Sequence, residues 1–482
     1  MPDMANLDVN RPEMAELGRQ AVEVLADWLE ALEESPASDY TSPAGLAERV
    51  RRPPGDDPGD FGELVATFLE AAGQGVNTAG PGYLAYFPAG GLYSAALAEL
   101  LANAANRYTG LAQTAPALVG MEHGVLTWLC ERFGLPRGAA GITTTGGSVA
   151  TLSAVLAARH DRLGEDLSGG TLYVTGHTHH CVAKAARVCG LPAKNVRQVP
   201  ATDGLRMDVR AAAELIAADR AAGLRPFLLA GTAGTTGTGT IDPLPELAGL
   251  ARREGLWFHV DAAYGGGFQL TRRGRARLAG IEHADSIALD PHKSLFLPYG
   301  TGVLLVRDPA LLHAAHAADG DYLQDLNPLD DLPDYANLGV ELTREFRGLR
   351  LWLPLHLHGV RAFERELDEK LDLAALVHRE LAADPRFEVP WEPDLTVVMF
   401  RLRDEGGGDG DEGEGGDELN RRLLHEINAT RRVYLSSTTV GGRFYLRLCV
   451  LSFRTHAHHV RRALRIVRES AGRLADGCLA DG

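Results

Sequence analysis

Apolar residues recur at three- and four-residue spacing from Met14 through Leu17, Ala21, Val24 and Trp28 to Leu32, and Pro12 is placed for a first helical turn. The pattern predicts a helix with one apolar stripe, which must lie against another surface of the chain or against a second subunit. Proline and glycine punctuate the chain at Pro53-Pro54-Gly55 and Pro58-Gly59, and a further apolar helix is expected over 64–72. From about 140 to 307 the pattern changes. Short β-rich runs at 171–175, 226–230, 256–260, 286–289 and 303–306 alternate with Ala-rich helical stretches at 148–162, 182–188, 209–222 and 244–254. Strands alternating with helices predict a mostly parallel, doubly wound sheet that binds ligands at the carboxyl ends of its strands. After about 349, helical and mixed segments predict a smaller C-terminal domain ending in a helix capped by Thr455.

Composition narrows the picture. A chain of 482 residues is long enough for two or three domains. Its 48 Lys+Arg against 64 Asp+Glu give a net charge of −16, which argues against binding a nucleic-acid backbone. Half of that charge lies in 404–418, which contains only Gly, Asp and Glu with eight acidic residues. Such a stretch buries no apolar surface and is expected to be a disordered, solvated loop; the ligand spacing of a calcium-binding loop is missing. The five cysteines Cys130, Cys181, Cys189, Cys449 and Cys478 are odd in number and form no CxxC pair, so reduced thiols are expected. No secretory signal and no run of about 18 apolar residues is visible, so a cytoplasmic protein away from membranes is expected.

Four stretches carry candidate chemistry. Gly141-Ile-Thr-Thr-Thr-Gly-Gly-Ser-Val leads into the helix predicted from Ser148, and its glycines and hydroxyls suit an anion at a helix start. Alone the signal is weak, because Gly and Thr before a helix more often serve only as turn and cap; the P-loop lysine and the dinucleotide glycine pattern are absent, which disfavours nucleotides. Asp261 ends an apolar strand, where its carboxylate needs either a helix to cap or a cationic partner, and the small Ala262-Ala263 would let a flat ligand lie close. Lys293 follows another apolar strand, with Pro291 and His292 before it. A ligand with a phosphate, a cationic ring nitrogen and an aldehyde would use all three. The fourth stretch is His177-Thr-His-His-Cys. Neighbouring side chains on one turn do not converge on a metal ion, so one imidazole lying flat on an aromatic cofactor accounts for it better. His456, His458 and His459 read as a polar helix face, and no metal site is expected.

In this order and spacing the residues resemble the pyridoxal-phosphate-dependent group II decarboxylases, the aromatic-L-amino-acid decarboxylase family. The resemblance runs from about Asn10 to Ala475 and includes Ala85-Tyr-Phe-Pro, His180, Gly234-Thr-Thr, His259-Val-Asp-Ala-Ala-Tyr, Pro291-His-Lys and Phe346-Arg-Gly-Leu. It implies an α/β chain of the PLP-dependent transferase type-I fold, with a mostly parallel seven-stranded sheet in the large domain and a small α+β C-terminal domain. Expected boundaries are 1–80 for a helical segment exchanged between subunits, 81–350 for the large domain and 351–482 for the small one. A homodimer with shared active sites follows, which would cover the stripe from Met14 to Leu32.

Carried over position by position, the resemblance makes Lys293 the lysine that forms the imine with pyridoxal 5'-phosphate (PLP) and Asp261 the partner of the ring nitrogen. His180 stacks on one ring face with Ala263 beneath the other; Gly147 and Ser148 hold the phosphate; His292, Thr235 and Asp242 lie near the cofactor. Residues 321–339 resemble the mobile catalytic loop, with Tyr335 on its proton-donating tyrosine, which related aldehyde synthases replace by Phe. Tyr86, Phe87 and Pro88 match the substrate pocket. Gly110 and Ala112 stand where aromatic-specific members carry bulky rings, Ala89 replaces a hydroxylated residue and Ser294 a frequent Trp, so the pocket is expected to be enlarged. The implied reaction is decarboxylation of an L-amino acid with an aromatic or bulky apolar side chain to its amine. An aminotransferase or an aldehyde synthase on the same fold is the alternative.

Overall fold

The computed structural model describes residues 7–88, 90–317, 329, 331–403 and 414–480. Its centre is a sheet of seven strands: β1 (Ala140–Thr144), β2 (Gly170–Thr175), β3 (Val196–Val199), β4 (Arg225–Thr232), β5 (Trp257–Asp261), β6 (Ser286–Leu289) and β7 (Gly302–Val306). Their spatial order is β1-β7-β6-β5-β4-β2-β3. All neighbours pair in parallel except β7, which runs antiparallel to both β1 and β6. Every residue of β2, β5, β6 and β7 is buried, as expected of strands covered by helices on both faces.

The five apolar runs read from the sequence each fall on one of these strands. Two strands carried no such signal. β1 begins Ala-Gly and ends in threonines, and β3 is Val-Arg-Gln-Val at the sheet edge with only its last residue buried. An edge strand has one solvated side and need not be apolar.

A second sheet of four antiparallel strands, β8 (Phe387–Glu388), β9 (Val397–Leu402), β10 (Ser436–Val440) and β11 (Arg443–Cys449), has the order β8-β9-β11-β10. The helices Val360–Ala382, Glu414–Ala429 and Ala457–Ala480 bury Val377, Leu423, Ile427, Val460 and Leu464 in a core with Phe400 and Leu446 of this sheet.

Three expectations change here. The acidic stretch 404–418 is not a loop to its end: the helix Glu414–Ala429 begins inside it, while 404–413 lie outside the described residues. Asp417 is buried, accepts the Phe444 N–H at 2.8 Å and lies 3.4 Å from Arg401, partners that only the folded sheet supplies. Thr455 does not cap the last helix, which begins at Ala457 directly after His456; its hydroxyl donates to the Pro81 carbonyl at 2.9 Å. Nor are His456, His458 and His459 a simple polar face: His459 is buried, and both His458 and His459 place Nε2 about 3 Å from Glu33 Oε1. His459 Nδ1 accepts the His456 N–H, so its proton sits on Nε2 and points at the carboxylate rather than offering a metal a lone pair.

The N-terminal helix Arg11–Glu30 starts at a capping box between Asn10 and Glu13. None of its residues is buried, and Met14, Val22 and Leu25 stay exposed; Leu64 and Phe68 of the helix Phe61–Ala72 are exposed too. Among the described residues no helix is long and apolar enough to cross a membrane.

Candidate active site

The carboxyl ends of β5 and β6 and the start of the helix Gly147–Leu163 converge on a cavity of about 310 Å³. Asp261, the last residue of β5, is 6 % exposed, borders the cavity and accepts the Ala263 N–H at 3.0 Å. Lys293 stands on the short helix Pro291–Ser294 that follows β6. Its Nζ lies 3.0 Å from Asp290 Oδ2 and 5.5 Å from the centre of the Phe87 ring. Gly147 donates its N–H to Asp290 Oδ1 at 2.6 Å. A Cβ on Gly147 would sit 3.0 Å from Asp290 Oδ2 and 3.3 Å from Ala263 Cβ, so only glycine lets the helix start come this close. His292 shares a 2.7 Å hydrogen bond between Nδ1 and the Thr301 carbonyl, and burial pushes its pKa down against the pull of Asp290. Behind Asp261 on the same strand, His259 is fully buried and held by burial at a pKa of about 4, with Nδ1 on Ser286 Oγ at 2.8 Å.

Gly147, Ser148, Phe87, Asp261, Ala263, His292 and Lys293 therefore share one cavity. The other expected residues do not border it, and each has a physical reason. His180 is exposed at the start of the helix Cys181–Val188; the imidazole at the cavity is His179, whose pKa burial lowers and whose Nδ1 accepts the Cys181 N–H at 3.3 Å. Thr235 is turned into its own turn, where its hydroxyl accepts the Thr240 N–H at 3.1 Å, and Thr236 faces the cavity instead. Asp242 is a backbone brace: it accepts the N–H groups of Met207 and Thr232 at 2.8 and 2.9 Å, and burial raises its pKa to about 6.

Tyr86 has a left-handed φ of 46° and an exposed side chain, with its carbonyl held by Arg447 at 2.7 Å, while Pro88 is buried outside the cavity. Gly110 and Ala112 lie against the 334–336 segment: Ala336 donates to the Gly110 carbonyl and Ala112 to Asp334. A Cβ on Gly110 would fall 2.3 Å from the Tyr108 hydroxyl, so the glycine makes room for this chain's own ring and does not widen the pocket of this subunit. Ala89 lies outside the described residues.

Tyr335 does not border this subunit's cavity either. Its ring is fully buried, with the Arg344 guanidinium 4.6 Å from its centre. Arg344 in turn makes a fully buried ion pair with Glu122 at 2.6 Å. The Tyr335 hydroxyl finds no hydrogen-bond partner among the described residues, and burial raises its pKa. Most of 321–339 ahead of it, including Tyr322, lies outside the described residues.

Asp290 was missed altogether, although it directly precedes Pro291-His-Lys. Tyr264, another omission, stacks on Phe87 with ring centres 4.2 Å apart and forms an aromatic wall of the cavity. The donor set fits a flat, phosphorylated aldehyde with a basic ring nitrogen. It offers a primary amine, a buried carboxylate on a strand end, an imidazole, a small Ala263 and backbone N–H groups at the start of a 17-residue helix.

Residues 56–403 match the family model of the pyridoxal-dependent decarboxylase conserved domain. An aromatic-L-amino-acid decarboxylase of Bacillus atrophaeus is 30 % identical, over 97 % of each chain. Among solved structures, Oryza sativa TDC with PLP and tryptamine superposes with a TM-score of 0.92 at 29 % identity, covering 98 % of this chain and 100 % of that one. Rhodiola rosea 4-hydroxyphenylacetaldehyde synthase superposes at 0.88 with 26 % identity, covering 96 % and 99 %.

Proposed function

The chain belongs to the pyridoxal-dependent decarboxylase family and is a PLP-dependent amino acid decarboxylase, and from that premise we propose that it converts an L-amino acid with an aromatic or bulky apolar side chain to the amine and CO2. The observation that carries this reading is the meeting of Lys293, Asp261 and the Gly147 helix start in one cavity walled by Phe87 and Tyr264. An apolar aromatic wall favours an apolar side chain of the substrate by transfer free energy.

PLP, when bound, supplies an electron sink for the pair left by the departing carboxylate. Lys293 would hold its aldehyde carbon, Asp261 would keep its ring nitrogen protonated, Gly147 and Ser148 would bind its phosphate, and His179 and Ala263 would flank its ring. His292, hydrogen-bonded to the Thr301 carbonyl through Nδ1, borders the same cavity with Nε2 3.6 Å from Asp290 Oδ2. The buried walls of Phe87 and Tyr264 exclude water from the carboxylate that leaves, which favours neutral CO2. The substrate carbon must then receive a proton. The resemblance gives that role to Tyr335, whose ring is buried outside the cavity of this subunit.

The exposed apolar faces of Arg11–Glu30 and Phe61–Ala72 support a homodimer in which the 1–80 segment packs on a partner and the 81–350 unit shares its active sites, with 351–482 as the small domain. Tyr335→Phe tests the chemistry. The expected product shifts from amine towards aldehyde; unchanged amine output would remove Tyr335 as the donor. Aldehyde from the wild-type enzyme would instead favour the synthase reading that the Rhodiola rosea likeness raises.

A further inference from the structure

Asp290 is a buried carboxylate, 4 % exposed, with both oxygens engaged. Oδ1 takes the Gly147 N–H at 2.6 Å, at the first residue of a 17-residue helix. Oδ2 pairs with Lys293 Nζ at 3.0 Å and lies 3.6 Å from His292 Nε2. These are the groups that the PLP reading gives to the cofactor: the N–H to its phosphate and the amine to its aldehyde. We propose that Asp290 is an internal competitor for the cofactor site, whose carboxylate contends with the phosphate for the Gly147 N–H and with the aldehyde for Lys293, and so sets the affinity of the enzyme for PLP.

The inference rests on the cofactor reading but does not follow from it, because a neutral residue before Pro291 would bring no competition. Three facts make the competition direct. The helix start concentrates partial positive charge on few N–H groups, and an anion already seated there is one the phosphate must displace. The carboxylate is also in contact with the glycine: a Cβ on Gly147 would meet its Oδ2 at 3.0 Å. The cavity holds little compensating charge, with Lys293 as its one ammonium group among the described residues, two carboxylates in Asp261 and Asp290, and His179 and His292 kept towards the neutral form by burial. A phosphate dianion arriving beside Asp290 meets like charge that Lys293, once engaged elsewhere, no longer offsets.

The test is titration of cofactor-stripped enzyme with PLP, followed by the imine absorbance, for wild type, Asp290→Asn and Asp290→Ser, with the unphosphorylated aldehyde pyridoxal alongside. Both variants are expected to bind PLP about ten-fold more tightly or better, with a smaller gain for pyridoxal, which lacks the anion. The melting temperature of the stripped variants should fall below that of stripped wild type, because both lose the charged pair with Lys293 and Asp290→Ser also the carboxylate that accepts the Gly147 N–H, while the loaded forms stay within a few degrees. Equal or weaker PLP binding by both variants overturns the proposal. Failure of wild type and variants alike to develop the imine absorbance would overturn the cofactor reading beneath it.

Discussion

At the scale of single residues, the cavity separates side chains that only local geometry could tell apart. His179 and His180 are adjacent and chemically identical, yet one faces the cavity and the other solvent, with ring centres 4.1 Å apart. The register of the turn after β2 decides between them, and no periodicity reports it. His179→Ala is expected to lower kcat about 100-fold, whereas His180→Ala should leave kcat and KM within about two-fold; steady-state kinetics of the two variants checks this. Lys293 and Asp261 were legible because each ends an apolar run, where a charged residue demands an explanation. The burial of Tyr335 was not, because it depends on the Arg344–Glu122 pair contributed by distant segments. Since its hydroxyl has no partner among the described residues, Tyr335→Phe should keep the melting temperature near wild type. Glu122→Gln, which leaves Arg344 charged and buried, should destabilise the fold by about 3–5 kcal/mol in urea unfolding.

At the scale of elements, the strands that carry the site are those the apolar runs announced, and the missed β1 and β3 are the outer strands of the sheet. The Gly-Thr run before the 147–163 helix combined a strand and a helix start, and the reading kept only the second. Positions whose small size seemed functional, such as Gly110, answer to tertiary contacts that a linear reading cannot see. The element β5 has its own pH dependence. His259 is buried with its pKa lowered from 6.5 to about 4, so between those values the unfolded chain binds the proton that the folded strand refuses. The stability this contributes is complete above about pH 6.5 and declines as pH falls towards 4, by an amount on the order of 3 kcal/mol. Denaturant unfolding of wild type and His259→Asn at pH 7 and pH 5 should show the wild type losing more stability than the variant over that interval. Equal losses would assign the acid sensitivity elsewhere.

At the scale of the molecule, the two sheets differ in what the sequence disclosed. The alternating β/α pattern made the large sheet readable, whereas the small antiparallel sheet draws its strands from 387–449 with the acidic stretch between them, which masked the helix that begins at Glu414. Half of the net charge of −16 read as a property of a loop, yet Asp417 packs against the small sheet. The exposed apolar faces of the N-terminal helices are best explained by a second copy. Leu25→Asp with Phe68→Asp should shift sedimentation from dimer to monomer, with loss of activity if the sites are shared. All of this serves one chemical claim, that Lys293 in the cavity beneath Phe87 makes the chain an amino acid decarboxylase. The most direct test is parallel measurement of CO2 and amine from L-tryptophan, L-tyrosine and the bulky aliphatic L-amino acids, using PLP-loaded wild type and Lys293→Ala. Equal molar CO2 and amine from at least one of them, abolished in Lys293→Ala, is the predicted result; keto acid without CO2, or turnover that survives in Lys293→Ala, would contradict it.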